Sequence, residues 1–292
     1  MTSITPNRRT FIGGAGAALL ASGNPVLAQG LARPDVIIGW TPWSDAEVVT
    51  KLAARILRRK MQADVELTLA DIDAQFRTMA KGEIDVMLMS WEPDLHGSYL
   101  GRHGDKLADL GPLYTGTIGL AVPEWVSLDL ISSIEDLNKP EVQEALQKRI
   151  VGIDSGAGLM ATTRKAMDAY SLGTYTLTEG TGPKMVREVA LAQRRDEPIV
   201  VTAWRPHMKF KLYGMRYLED SKGLYSAAST IHARAHTDFP TRAPAIADML
   251  SRMSLEIGDI EAIMVDAREN GIDAAIDTWM NENPDTIQSW IS

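Results

Sequence analysis

Three tryptophans each close an apolar run of strand type: "DVIIGW" ends at Trp40, "EIDVMLMSW" at Trp91 and "EPIVVTAW" at Trp204, while Trp43 follows Trp40 through Thr41 and Pro42. A side chain at the carboxyl end of a strand faces the crevice in which open α/β sheets bind ligands. Several indole faces on one crevice make a poor catalyst and a good receptor for a cation without N–H groups. Against such a cation a carboxylate offers only Coulomb attraction and must be desolvated, whereas each indole face contributes about 0.5–2 kcal/mol of cation–π attraction at little such cost. Micromolar binding needs about −8 kcal/mol in total, which three or four rings plus burial can approach.

The elements that must position these rings read as two α/β units. In the first, residues 36–40 form a strand, and Ser44 with Glu47 has the spacing of a capping box before a helix whose Val48, Leu52, Ala53, Ile56 and Leu57 share one face. Residues 64–70 form a strand, 71–82 a helix closed by Gly82, and 84–90 a third strand. From residue 149 the grammar repeats, with strands at 149–154, 175–179 and 198–203 and helices at 158–170 and 183–195. Helices alternating with strands imply parallel pairing. Two extended segments, 114–126 and 229–236, read as crossings between the units, and the remainder is a helical tail. The expected fold is α/β and two-lobed: residues 29–119 and 230–292 form one lobe, 120–229 the other, and the ligand lies between them.

Residues 1–28 have the pattern of an export signal, with Arg8-Arg9 ahead of a short stretch rich in Gly and Ala that ends at Ala28. The paired arginines followed by Thr10, Phe11 and Ile12 resemble a twin-arginine signal. The apolar stretch is shorter than the ~20 residues a membrane span needs. With no cysteine in the chain, disulfides, thiol catalysis, thiolate metal sites and a lipid-anchored cysteine are all excluded. The formal charge of −8, more negative once the basic signal is removed, argues against nucleic acid or an anionic membrane surface as partner. The expected product is a free periplasmic monomer of about 264 residues.

Enzyme patterns fail one by one. Ile153 stands where a G-x-S-x-G nucleophile elbow around Ser155 needs glycine, and "GTGPKM" lacks the spacing and terminal hydroxyl of a phosphate loop. His232 and His236 are four apart, but on a segment that reads as extended, where that spacing does not build a helical metal face. No cofactor or metal is expected.

The chain resembles the substrate-binding proteins of ABC importers for glycine betaine, choline and related quaternary ammonium compounds. The resemblance is carried in order along nearly the whole mature chain by "IGWTPWSDAEVVTKL", "GEIDVMLMSWEPDLH", "GPLYTGTIGLAVPEWV", "SIEDLN", "VGIDSGAGLM", "VVTAWRPHMKFKLYGMRYLED" and "AAIDTWMNE". It implies a fold of two lobes that close on ligand, with an aromatic box around the trimethylammonium head. Trp91 of "SWEPD" and Trp204 of "TAWRPH" match box tryptophans, Trp40 or Trp43 supplies a further wall, and Tyr114 is another candidate. Trp125, Trp279 and Trp290 are assigned to rim or core.

The ligand's other end leaves two alternatives. A betaine carboxylate needs donors, which the amides of "DSGAG" (154–158, with Asp154, Ser155 and Gly156) at a helix start would provide, with Ser155, His96 and His207 adding side-chain donors. A choline hydroxyl needs an acceptor, for which Asp45, Asp94 and Asp154 qualify. The expected function is capture of glycine betaine or choline and delivery to the membrane permease of an ABC importer. The alternatives are another small cationic or zwitterionic solute, such as carnitine, a sulfonium osmolyte or an amine, and a periplasmic hydrolase.

Overall fold

The computed structural model describes residues 33–225 and 228–292, so the expected export segment lies outside the described residues. The chain runs β1 (Val36–Trp40), α1 (Ser44–Lys60), β2 (Val65–Leu69), α2 (Ile72–Ala80), β3 (Val86–Glu92), α3 (Gly97–His103) and then β4 (Leu107–Pro123). It continues through α4 (Pro140–Ala145), β5 (Arg149–Val151), α5 (Gly158–Ala169), β6 (Thr176–Thr178), α6 (Gly182–Arg195), β7 (Val201–Arg205), α7 (Lys209–Tyr213) and β8 (Met215–Tyr217). Strand β9 (Ser229–His236) leads into α8 (Phe239–Arg242), α9 (Pro244–Arg252), α10 (Ile257–Asn270), α11 (Ile272–Glu282) and α12 (Pro284–Ile291).

The sheet order is β2-β1-β3-β9-β4-β7-β5-β6, with β8 on β4. Each βαβ unit pairs in parallel as the alternation requires, β1 with β2 and β3, and β5 with β6 and β7. The two long strands between them run antiparallel: β9 pairs with β3 and with β4 from Leu107 to Gly116, and β4 then changes partner to β7 from Thr117 onward. The sheet is therefore mixed, and one 17-residue strand serves both halves.

Local sequence accounts for most helix ends. Asp71 caps α2 by accepting from the Ala74 amide, Gly82 follows at φ +71°, and Thr181 caps α6 ahead of Pro183. The capping box expected at Ser44 and Glu47 does not form. The N-cap of α1 is Trp43, the Ser44 hydroxyl is buried without a partner, and Glu47 pairs with Lys51 instead. The apolar stripe of α1 is fully covered, and Trp279 stacks on Trp290 in the helical tail at 6.0 Å. No helix among the described residues is long and apolar enough to cross a membrane.

Candidate functional site

At the carboxyl ends of the strands lies a small, narrow cavity of about 20 Å³. Its walls are Trp43, Asp45, Trp91 and Leu95 from the first βαβ unit, and Ile153, Ala157, Gly158, Leu159 and Trp204 from the second. All three indoles are almost fully buried. Asp45 is the one charged residue among these nine.

The tight turn at Thr41 to Trp43, closed by the Trp43 amide donating to the Thr41 carbonyl at 2.7 Å, decides which of the paired tryptophans enters. Trp43 lines the cavity and its Nε1 donates to Asp154 Oδ1 at 3.1 Å, joining the two units. Trp40 stays outside. As the last residue of β1 it pairs with Leu69, and the Lys51 ammonium lies 5.5 Å over its ring.

Asp45 is completely buried, with Tyr114 Oη donating to Oδ2 at 2.8 Å and Trp204 Nε1 to Oδ1 at 2.9 Å. Burial pushes its carboxyl above the ordinary value, against these two hydrogen bonds and those of the first-turn amides, all of which favour the ionised form. Tyr114 is thus a support for Asp45 and does not line the cavity.

Neither histidine reaches the cavity. His96 accepts the Trp91 amide at Nδ1 at 3.0 Å and stacks behind Trp43 at 5.9 Å, and burial lowers its pKa to about 3. His207 meets the Trp204 ring edge-on at 4.6 Å and accepts the Lys209 amide at Nδ1; burial, then the Lys209 charge, hold it well below the usual imidazole range. Asp94 accepts from the Ser229 hydroxyl at 2.7 Å and Asp154 takes the Trp43 indole, so neither faces the cavity. Ser155 and Gly156 are exposed on a turn closed by the Ala157 amide donating to the Asp154 carbonyl. The helix start that touches the cavity therefore comes slightly later, at Ala157, Gly158 and Leu159, where α5 begins.

Contacts unforeseen from sequence hold the rings. Trp91 lies so close to Gly116 that a Cβ there would come within 2.4 Å of the indole. Glu92, next to Trp91, forms a two-point ion pair with Arg234 of β9 at 2.7 and 2.5 Å. Arg205, next to Trp204, does the same with buried Glu261 of α10 at 2.8 Å for both contacts. The repeated W-[ER]-P, Trp91-Glu92-Pro93 and Trp204-Arg205-Pro206, was the legible trace of this arrangement; both X-Pro bonds are cis. Glu92, Asp109 and His232 approach one another as metal ligands could, but Arg234 pairs with both acids there.

Residues 34–282 match the family model for the substrate-binding domain of ABC-type glycine betaine transport systems. A glycine betaine/carnitine transport binding protein of Listeria monocytogenes (serotype 1/2a, strain 10403S) is 29% identical over 156 residues, 52% of each chain, so the aligned part spans about half the length of that relative. The lactococcal OpuAC crystal structure, closed and complexed with glycine betaine, superposes with a TM-score of 0.82 at 25% identity, covering 88% of this chain and 99% of that one. An ABC-transporter choline-binding protein in complex with choline shares the fold, with a TM-score of 0.79 at 20% identity over 88% of this chain and 91% of the other. With its mixed α/β periplasmic-binding-protein architecture and a family match over most of its length, the chain belongs to the substrate-binding domain family of ABC-type glycine betaine transport systems, a family of binding proteins and not of enzymes.

Proposed function

We propose that the cavity captures the trimethylammonium head of a quaternary ammonium solute outside the cytoplasm, for delivery to the permease of an ABC importer. The observation that carries this reading is the convergence of Trp43, Trp91 and Trp204, drawn from both βαβ units, on one apolar cavity beside buried Asp45. Three indole faces supply cation–π attraction, and a cation in their midst favours the ionised form of buried Asp45. Residues 29–119 with 230–292, and 120–229, are the two lobes of a monomer exported by the twin-arginine route. Closure about β4 and β9 brings Trp43 onto Asp154 and the start of α5 onto Leu95, and bound ligand shifts the population toward that closed form.

Choline is the favoured solute, because the one carboxyl on the cavity wall, Asp45, offers acceptor oxygens to a hydroxyl donor and its ionised form is favoured by a cation. Glycine betaine is the second reading, supported by the start of α5 at the cavity, where first-turn amides can receive a carboxylate. Isothermal titration of residues 29–292 with choline, glycine betaine and carnitine tests both. Trp91→Ala and Trp204→Ala are each expected to weaken binding at least tenfold, and Asp45→Asn to weaken choline more than betaine. Unchanged dissociation constants in both tryptophan variants would end the aromatic-cage reading, and equal losses for both solutes in Asp45→Asn would end the choline preference.

A further inference from the structure

One wall of the cage is already engaged by a cation of the protein itself. Lys209, the first residue of α7, is completely buried, and its Nζ stands 4.2 Å from the centroid of the Trp204 ring and 5.4 Å from that of Phe210. Its hydrogen bond is a long one, 3.4 Å to the Trp204 carbonyl, and among the described residues no carboxylate oxygen lies within ion-pair distance of it. Lys209 does not line the cavity, whereas Trp204 does, so the lysine touches the ligand space only by way of that indole. The same indole donates Nε1–H to Asp45.

We infer that Lys209 sets the affinity of the site: its ammonium draws on the same Trp204 ring that the ligand's cationic head uses and repels that head, so the receptor grips a quaternary ammonium less tightly than its three indoles alone would. The inference rests on the proposed quaternary-ammonium reading. Two unit charges on either side of one ring stand roughly 8 Å apart when each takes a normal cation–π distance. At an effective dielectric of about 20, that repulsion corresponds to an affinity change of order thirtyfold, and Asp45, present with and without Lys209, cancels from the difference.

Lys209 is charged or neutral according to its surroundings, which are Asp45 on α1, Glu261 on α10, and Arg205 and His207 on its own segment. Burial lowers its pKa well below the usual lysine range, and the charges of Asp45 and Glu261 act against that. The resident charge is therefore largest at low pH and lost at high pH.

The test is titration of the wild type, Lys209→Met and Lys209→Arg with choline, glycine betaine and 3,3-dimethylbutan-1-ol, the uncharged carbon isostere of choline, at about pH 6 and about pH 9. Asp45 titrates in all three proteins, so ratios between them at one pH isolate position 209. At the lower pH, Lys209→Met is expected to bind the charged ligand tighter than the wild type by up to about thirtyfold, while affinity for the isostere moves less than about twofold. Lys209→Arg, which keeps its charge at both pH values, is expected to bind the charged ligand more weakly than the wild type at the higher pH, and by a larger ratio there than at the lower pH. Equal changes for charged and neutral ligands in Lys209→Met would reduce the residue to a packing role and overturn the inference. Should Lys209→Met not fold, wild-type affinity of Lys209→Arg at the higher pH overturns it alone. A wild type that binds no quaternary ammonium would instead remove the underlying functional reading.

Discussion

Adding a single methyl group at Gly116 is expected to disable the cage without replacing any residue that lines it. A Cβ at this position would lie 2.4 and 2.6 Å from two atoms of the Trp91 ring and 2.7 Å from the Arg205 carbonyl oxygen. Reaching ordinary contact near 3.4 Å requires the indole to retreat by about 1 Å and the strand end carrying Trp204 to move by about 0.7 Å. Two of the three indole walls are thus displaced together, and a gap of 0.5–1 Å already forfeits roughly a quarter to a half of each contact's attraction. Gly116→Ala is expected to weaken binding at least tenfold, about 1.4 kcal/mol, and to cost about 1–3 kcal/mol of stability through overpacking. Isothermal titration reads the first and urea denaturation the second. Gly101→Ala is the matched control: nothing lies within 4 Å of its added Cβ on exposed α3, so binding stays unchanged and stability rises by up to about 1 kcal/mol. A Gly116→Ala variant with wild-type affinity would refute the claim that Trp91 must sit where it does.

Two other substitutions separate closure from stability. A Cβ on Gly158 would come 2.5 Å from the Leu95 carbonyl oxygen, a backbone atom that cannot swing aside, so Gly158→Ala is expected to lower affinity at least tenfold by titration while leaving the ligand-free melting temperature unchanged. Unchanged affinity would show that α5 and Leu95 need not approach so closely. His96 is buried neutral with a pKa near 3, below its unfolded value of about 6.5; between these limits the unfolded chain binds the extra proton, so stability is present above pH ~6.5 and falls as pH drops toward 3, by about 1.4 kcal/mol per pH unit. In His96→Asn, which keeps an acceptor for the Trp91 amide, urea unfolding from pH 7 down to 4.5 is expected to lose one proton's worth of that slope, and a slope equal to wild type would contradict neutral burial.

Residue types located the cavity well, and the contacts around it poorly. Trp91 and Trp204 could be read from sequence because each ends an apolar strand, and strand ends converge whatever the details of packing. The choice between Trp40 and Trp43 hung on a two-residue turn whose direction no periodicity encodes. The helix start at residue 158 was legible, but that Ser155 and Gly156 stand outside the cavity lining follows from the Asp154–Ala157 turn, which local pattern does not orient. Parallel pairing was legible within each βαβ unit, but the antiparallel insertion of β9 between β3 and β4 is a contact across most of the chain, beyond the reach of local pattern. Gly116 and Lys209 gave no signal of their own: one matters for a side chain it lacks, the other for a burial that composition argues against.

The placement of β9 also governs when this protein can fold. Val86 in β3 pairs with Ala235 in β9, and Leu107 in β4 with His236, so the centre of the sheet stays incomplete until nearly four-fifths of the chain has emerged from the ribosome. Until then β3 and the first part of β4 present bare apolar edges, including Met87, Leu88 and Met89, all wholly buried once folded. Closing so long a loop before any of its contacts reward it makes folding slow. Because β4 belongs to both halves, neither half has a finished sheet by itself, and the unit from Pro34 to Ser292 is expected to assemble late and as a whole.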